Sequence, residues 1–434
     1  MEGSPYPLSG RGYERYEDYE AVEAMAKVYE RWHRRKNMDP RIRTLSGVLA
    51  PGLRKNPKLR DAAGFMVAIH QHPEVFSGNA GSQRPDYRVQ GSARPLPFPE
   101  YGANLLMRGL WNEWRHMGVG WPKDFVSPEK CEEGIFLVTH DSEHYDSFSE
   151  NIAFRSVQTS VPDRIIGAKL ALAAVKERFT DENEKPRPLR VVSVGHGLGV
   201  AEKKLMLNRP FDDLRFYNYI DFNSEYIGLH SQASSRLRDR ANSPLEIDSI
   251  FAIDVMPSDN DPATRDWMMG AYTPDEQMNK KFMAEVEELD SNSPPGYVSL
   301  RGDFSSEEGF NAVKTAAGEK PVDFVWFSTV FYQLPEIERN VMLGHAADLL
   351  GPGGLIGFQD FVQVRNIINE SSGETTQHLS FPGDWKNWMY QLVIIDDPKR
   401  NGWNFEPKIF YKNGRAHDIY IPHRYREELL GSTI

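Results

Sequence analysis

Residues 188–200 read P-L-R-V-V-S-V-G-H-G-L-G-V, and this stretch decides the fold. Leu189–Val194 is an apolar, β-branched run, which predicts a buried parallel strand. Gly195, Gly197 and Gly199 alternate through the turn that follows, and residues 201–207 are apolar and helix-capable. A strand, a glycine-rich turn and a helix open a nucleotide-binding α/β sheet, because glycines let the backbone approach a ligand and a helix start presents unpaired N–H groups. A tight connection without a ligand is the alternative that this motif leaves open.

Composition bounds the class of protein. The chain has 434 residues, 40% of them hydrophobic, which predicts two domains or one domain with large additions. The formal net charge is -11 with both signs interspersed, which disfavours nucleic acid as a partner. Cys131 is the single cysteine, so neither a disulfide framework nor a thiolate metal site is expected. Without a signal peptide or a membrane-spanning apolar run, we expect a cytoplasmic protein with no membrane partner.

The first part of the chain, residues 1–150, is expected to be mainly helical. Amphipathic patterns predict helices at 16–36, 58–70 and 101–117, with a Gly/Ser/Pro/Arg-rich loop at 77–100. We expect this extension to cover a substrate cavity, with a homodimer contact as a further role. His140 and His144 have the i, i+4 spacing that would place two imidazoles on one helix face. No third ligand is marked, so the polar lining of a cleft is favoured over a metal site.

Further strands are predicted along the second part, residues 151–434. Residues 215–220 form the second predicted strand, and Asp221 and Phe222 follow it. An acidic residue at the end of the second strand commonly accepts hydrogen bonds from ribose hydroxyls, although a helix cap is the alternative for Asp221. Residues 241–295 interrupt the alternation, and we interpret them as an insertion with one strand-like run at 250–256. Further strands are expected at 297–300, 322–327, 355–358, 391–395 and 416–421, with irregular structure at 362–382.

An ordered set of motifs then carries a resemblance. V-V-S-V-G-H-G-L-G, I-D-F, G-D-F, D-F-V-W-F-S-T-V-F-Y-Q-L-P and A-A-D-L-L-G-P-G-G-L-I follow one another between residues 189 and 361. In this order they resemble the class I S-adenosylmethionine-dependent methyltransferases. The resemblance implies a seven-stranded Rossmann-like α/β sheet with helices on both faces and an antiparallel last strand. The dinucleotide-binding fingerprint of a dehydrogenase would require its third glycine at position 200, where this chain has Val200.

The resemblance also implies residue roles for S-adenosyl-L-methionine as cofactor. The glycine turn would wrap its methionine part, the second-strand acid would hold the ribose, and the residues after the third strand would frame the adenine. Ser193 stands where the family usually carries an acid, and His196 is unusual between two glycines. The implied cofactor-binding residues are Gly195, His196, Gly197, Gly199, Asp221, Phe222, Asp303, Phe304 and Ser328, with Thr329 beside Ser328.

The expected function is methyl transfer to an oxygen or nitrogen of a small organic molecule. Protein-directed methylation and a non-catalytic module that binds S-adenosylmethionine are the alternatives, and a dehydrogenase is third. A hydroxyl acceptor requires a base. The candidates for this base are His144, Tyr145, Tyr332 and Asp360, and no metal is expected.

Overall fold

The computed structural model describes residues 19–36, 38–71, 98–119, 127–154, 165–181, 183–210, 215–219, 231–255, 262–270, 276–331, 334, 336–361, 363–368, 375–380, 390–396, 405–411 and 418–422. The chain divides into two compact units. Unit 1 comprises Met1–Thr159 and Pro262–Glu285, and unit 2 comprises Ser160–Asp261 and Val286–Ile434.

Helices and strands follow one another along the chain in a mixed α/β pattern. The helices are α1 (Tyr19–Arg34), α2 (Pro40–Lys55), α3 (Pro57–Gln71), α4 (Phe98–His116), α5 (Pro128–His140), α6 (Ser142–Phe154), α7 (Ile166–Val175), α8 (Val200–Met206), α9 (Ser231–Asn242), α10 (Pro262–Gly270), α11 (Glu276–Ser291), α12 (Glu307–Ala317) and α13 (Glu336–Leu349). The strands are β1 (Leu189–Val194), β2 (Arg215–Tyr219), β3 (Ile247–Asp254), β4 (Tyr297–Arg301), β5 (Val322–Ser328), β6 (Leu350–Phe361), β7 (Gln363–Ile368), β8 (Thr375–Ser380), β9 (Tyr390–Asp396), β10 (Phe405–Tyr411) and β11 (Asp418–Pro422).

The described residues of unit 1 form helices. The expected helices correspond to α1, α3 and α4, and their apolar faces are buried, with Trp114 fully enclosed. The sequence suggests that Pro40 ends the first helix, but Pro40 instead begins α2. A proline is well tolerated there, because the backbone N–H that it lacks would have no partner in the first turn of a helix. Asp39 caps this helix by accepting a hydrogen bond from the Arg41 amide. None of the described helices combines the length and apolar character needed to cross a bilayer.

Unit 2 contains a sheet of nine strands in the order β2-β11-β10-β9-β6-β5-β1-β3-β4. β1 lies between β3 and β5, and all three run parallel. β4 and β6 extend this parallel part on either side. β9 is antiparallel to β6, β10 to β9, and β11 to β10. The sheet therefore has nine strands where seven were expected, and a separate β7–β8 hairpin lies in the range expected to be irregular.

The expected second strand is in a different place. β2 pairs with β11 at the edge of the sheet, so it does not neighbour β1. The neighbour of β1 is β3, with Val192 opposite Phe251. The interpretation of residues 241–295 as an insertion is wrong for β3, because this strand lies within the sheet and six of its eight residues are buried. Continuous apolar character is what a parallel strand covered on both faces requires.

Two apolar layers enclose the sheet of unit 2. On one face, Val191, Phe324 and Trp326 pack with residues of α7 and α9. On the other face, Val192 and Phe327 pack with residues of α12 and α13. Alternate residues of each central strand contribute to opposite layers, as the two-residue period of a strand demands. The same alternation decides which polar side chains share a face where the strands end.

A buried carboxylate ties β1 to β5 where these strands begin. Asp323 is 1% exposed and accepts hydrogen bonds from Arg187 Nη1 at 2.7 Å, Arg187 Nη2 at 2.5 Å and the Arg190 amide at 2.9 Å. The Arg190 guanidinium donates in turn to the carbonyl oxygens of Ala317 and Lys320. Burial of a carboxylate is tolerated here because both of its oxygens are paired.

We expect Asp323→Ala to lower the free energy of unfolding by about 3 kcal/mol, because removing one partner of a buried ion pair leaves the other uncompensated. Denaturant unfolding followed by circular dichroism measures the change. Asp348→Ala is the matched control, since Asp348 is exposed on α13. Equal changes in the free energy of unfolding for the two substitutions would show that the ion pair of Asp323 adds nothing to stability.

A second ion pair joins α10 to α4 within unit 1. Asp266 accepts from Arg115 Nη2 at 2.6 Å, and its other oxygen lies 2.7 Å from His116 Nε2. Burial alone would raise the pKa of Asp266, but the hydrogen bonds and charges of His116 and Arg115 outweigh burial and hold this pKa below its usual value. Residues 262–270, distant in sequence from the first helices, are thereby anchored in unit 1.

The depressed pKa of Asp266 predicts a pH dependence of stability. The stabilising contribution of the carboxylate is fully present above the unfolded-state pKa of about 3.9 and is lost as the pH falls through the lower folded-state pKa. The stability difference between wild type and Asp266→Asn is therefore expected to shrink as the pH falls below about 4. Chemical unfolding at pH 7, 5, 4 and 3 tests this, and a difference that stays constant with pH would contradict it.

Candidate functional site

The glycine turn lies where the parallel strands of unit 2 end, which we call the carboxyl edge of β1, β3, β4, β5 and β6. Two hydrogen bonds hold it over β3. The Gly195 amide donates to the Ile253 carbonyl oxygen at 2.9 Å, and the Gly197 amide donates to Asp254 Oδ2 at 3.0 Å. β1 is also the strand at which the order reverses, since β3 follows on one side and β5 on the other. Open α/β sheets bind ligands at such a switch point.

The turn requires glycine for two reasons. Gly195, Gly197 and Gly199 have φ angles of 81°, 58° and 65°, a left-handed region that other residues adopt at a cost. A Cβ atom on Gly195 would lie 2.4 Å from Val330 Cγ2, and one on Gly199 would lie 2.1 Å from the Tyr297 hydroxyl oxygen. The expected glycines are thus fixed by the packing of the turn against β4 and the end of β5.

Asp254 is a residue of the candidate site that was not predicted from the sequence. It is 7% exposed, ends β3 and fixes the second glycine of the turn through its carboxylate. An acid at the end of the strand beside β1 is the position from which ribose hydroxyls are held in such sheets. Sequence order suggests Asp221 for that position, because the 215–220 strand comes next along the chain. Asp221 and Phe222 lie outside the described residues, and β2 before them is not the strand beside β1.

Asp303 and Phe304 follow β4 at the same edge, and their environments differ. Asp303 Oδ1 accepts from the Ser305 amide at 2.9 Å and from Ser305 Oγ at 2.6 Å, so the carboxylate shapes the turn into α12. Phe304 is 1% exposed, with its ring centroid 5.9 Å from those of Phe327 and His345. This ring packs among the core residues of unit 2, and its contact with an adenine stays a prediction.

The ends of β5 and β6 supply the other side of the edge. Ser328 is partly buried and pairs in register with Gln359. Thr329 has a φ of 61°, an outlier for a β-branched residue, and its amide donates to the Gln359 carbonyl oxygen at 2.9 Å. Strained backbone of this kind persists where the surrounding structure holds it, and functional sites are where it clusters.

His196 belongs to the glycine turn, and its side chain is buried, with 5% of the residue exposed. Its Nδ1 lies 3.1 Å from the Tyr297 hydroxyl oxygen, and Lys203 Nζ lies 4.8 Å from the Tyr297 ring centroid. His196 Nε2 is buried without a hydrogen-bond partner among the described residues. The unusual histidine therefore braces the turn against β4 through one nitrogen.

Ser193 stands where the resemblance implies an acidic residue. Its side chain contacts the carboxyl group of another residue. Its hydroxyl donates to Glu202 Oε1 at 2.7 Å, and both side chains are at most 2% exposed. Glu202 belongs to α8, the short helix after the turn. A carboxyl group thus lies beside the end of β1 although the strand itself carries none.

His144 and Tyr145 belong to unit 1 and are engaged there in structural contacts. The chain turns at Asp141 between α5 and α6, so His140 and His144 lie on different helices and do not share one face as expected. His144 Nδ1 lies 3.0 Å from Oε2 of the buried Glu113. Tyr145 donates to the Lys58 carbonyl oxygen at 3.0 Å, and burial raises the pKa of Tyr145 to about 12. A pKa this high makes Tyr145 unsuited to act as a base near neutral pH.

Asp360 is fully buried in β6, on the face occupied by Ile356 and Phe358. Its charge interacts with that of Arg339 on α13, a guanidinium whose pKa burial lowers below the usual range. Tyr332, the fourth candidate base, lies outside the described residues. Within the described ranges, no group of three His, Cys, Asp or Glu side chains is arranged to hold a metal ion.

Comparisons with known proteins return no matching family model and no matching curated protein. The solved structures that match include Haemonchus contortus phosphoethanolamine N-methyltransferase 2 (10% identity, TM-score 0.23, 47% of this chain and 30% of that chain). An O-methyltransferase family protein from Burkholderia thailandensis matches with 13% identity and a TM-score of 0.22 over 54% of this chain and 45% of that chain. CalS10, an amino pentose methyltransferase from Micromonospora echinaspora, matches with 10% identity and a TM-score of 0.24 over 62% of this chain and 81% of that chain. The chain spans less than half the length of the first two.

The packing of the turn predicts that Gly199→Ala is more destabilising than an alanine at an equally left-handed but open position. Gly118 is that control, with a φ of 64° and no neighbouring atom within 4 Å of the point that a Cβ would occupy. We expect Gly118→Ala to cost about 1–2 kcal/mol from backbone strain, and Gly199→Ala to cost about 1–3 kcal/mol more from overpacking against Tyr297. Urea unfolding measures both, and equal losses would contradict the close approach of Tyr297.

Proposed function

We propose that this protein is an S-adenosylmethionine-dependent methyltransferase that methylates an oxygen or nitrogen of a small organic molecule. The observation that carries the proposal is the hydrogen bond from the Gly197 amide to Asp254 Oδ2 at the switch point of the parallel strands. It places a glycine turn and a carboxylate side by side where a nucleoside would bind. The ordered motifs that resemble class I methyltransferases support the same function.

The residues at the carboxyl edge fit the parts of this cofactor. Asp254 offers a carboxylate for vicinal ribose hydroxyls, and Asp303 follows the adjacent strand with a carboxylate suited to an exocyclic amino group. The Gly302 amide donates to the Asp254 carbonyl oxygen at 3.1 Å, which joins the two acidic positions. The left-handed glycines of the turn lie on the other side of these two acids, at the end of β1. Adenosine and amino-acid parts would therefore lie on opposite sides of β1.

S-adenosylmethionine, when bound, would supply an electrophilic methyl group on a sulfonium, with the neutral thioether as the leaving group. The chain's contribution is to hold the cofactor and the acceptor in line and to exclude water. The glycine turn and Asp254 would orient the nucleoside, while Ser328 and Thr329 border the side from which an acceptor approaches. A hydroxyl acceptor would pass its proton to a base, for which Tyr332 remains a prediction.

A cofactor-binding module without catalysis is the second candidate. One observation favours it: of the four predicted bases, His144 and Tyr145 are engaged within unit 1, and Asp360 interacts with Arg339. Incubation with methyl-labelled S-adenosylmethionine and a panel of small hydroxy and amino compounds separates the two candidates. Transfer of label to any acceptor supports the enzyme, and tight binding without transfer supports the module.

We expect the wild-type protein to bind S-adenosylhomocysteine and Asp254→Asn to bind it about tenfold to hundredfold more weakly. Loss of hydrogen bonds to a charged acceptor accounts for a change of this size. Asparagine keeps an oxygen for the Gly197 amide, so the turn is retained. Isothermal titration calorimetry measures the affinity.

Asp248→Asn is the control for this experiment, because Asp248 lies on the same strand with its side chain 58% exposed. Its affinity should equal that of the wild type. Failure of folded wild-type protein to bind either S-adenosylmethionine or S-adenosylhomocysteine would refute the proposed function.

A further inference from the structure

Gln359 is a buried side chain whose polar atoms are unused. It is 0% exposed, and neither Oε1 nor Nε2 has a hydrogen-bond partner among the described residues. An amide buried in this state loses its hydration without compensation, which is unfavourable in the folded protein. Native structures retain few such groups, and a ligand is one reason for retaining them.

The position of Gln359 places it at the candidate site. It shares a sheet face with Leu355 on its own strand, and it pairs in register with Ser328 on β5. Its carbonyl oxygen holds the strained Thr329. A Cβ on Gly195 would lie 3.0 Å from the Ser328 carbonyl oxygen, so the glycine turn, the end of β5 and the end of β6 form one continuous edge.

The carboxamide specifies the kind of group that would satisfy it. Oε1 accepts hydrogen bonds and Nε2 donates them, side by side in one plane. An α-amino acid presents the complement, since its ammonium donates and its carboxylate accepts from the same carbon. A ligand with a single charge of either sign would leave half of the carboxamide unpaired.

We propose that Gln359 recognises the α-amino-acid end of S-adenosylmethionine. Nε2 donates to the carboxylate, and Oε1 accepts from the ammonium. This inference rests on the proposed function and adds a specificity-determining residue to it. Asp254 and Gln359 then hold opposite ends of the cofactor, on either side of β1 and β5.

Access of a ligand to the carboxamide requires a local opening, because Gln359 is fully buried. Binding therefore selects or induces a conformation in which the carboxamide is reachable. The unsatisfied amide makes that opening less unfavourable than it would be for an apolar side chain at the same position.

The experiment compares two probes, S-adenosylhomocysteine and 5′-methylthioadenosine, which lacks the amino-acid group. Gln359→Met keeps the length of the side chain and removes its hydrogen-bonding atoms. We expect this variant to bind S-adenosylhomocysteine about tenfold to hundredfold more weakly, and 5′-methylthioadenosine as the wild type does. Without ligand, its Tm should exceed that of the wild type, because no polar group is left unpaired. Gln277→Met, at an exposed position on α11, is the control and should change neither affinity.

Equal losses for the two probes, or no loss for either, would overturn the role of Gln359. Reduced methyl transfer with unchanged affinity for S-adenosylhomocysteine would also overturn it. If Gln359→Met does not fold, Gln359→Leu replaces it, and its affinities for the two probes are compared in the same way. Wild-type protein that binds neither probe refutes the proposed function itself, whereas wild-type binding with an unaffected Gln359→Met refutes only this inference.

Discussion

The parallel pairing of β1 between β3 and β5 is the constraint on which unit 2 depends. It aligns Val192 with Phe251 on one side and with Val325 on the other, so the three strands end together. Their alternate side chains must then be apolar on both faces, which accounts for two separate buried layers. Because the strands end together, the polar residues that follow them meet at one edge. The candidate site is a consequence of this register rather than of any one motif.

The central part of the fold could be predicted because its signals are local. A few neighbouring residues are enough to predict each of three elements: the strand Leu189–Val194, the glycine turn after it and the strand Val322–Ser328. The position of a strand in the sheet is not local information. Arg215–Tyr219 follows β1 in sequence, yet its pairing is with Asp418–Pro422. Sequence order therefore placed the wrong strand beside β1.

The site shows the same division. The left-handed glycines were predictable from their type and spacing, since no other residue adopts such angles freely. Asp254 and Gln359 gave no signal, because an acid or an amide at the end of an apolar run looks like an ordinary strand end. His144 and Tyr145 drew attention through their residue types, but their hydrogen bonds to Glu113 and Lys58 show structural roles. Residue type alone does not distinguish a reactive group from a satisfied one.

The return of Pro262–Glu285 to unit 1 has a consequence for how the chain is made. The polypeptide passes from one unit to the other three times, so neither unit is a contiguous piece that truncation would release intact. During synthesis, the helices up to Phe154 leave the ribosome well before α10 supplies Asp266 to Arg115 and His116. Unit 1 cannot complete its packing until β3 has also emerged, which makes the folding of the two units interdependent in time.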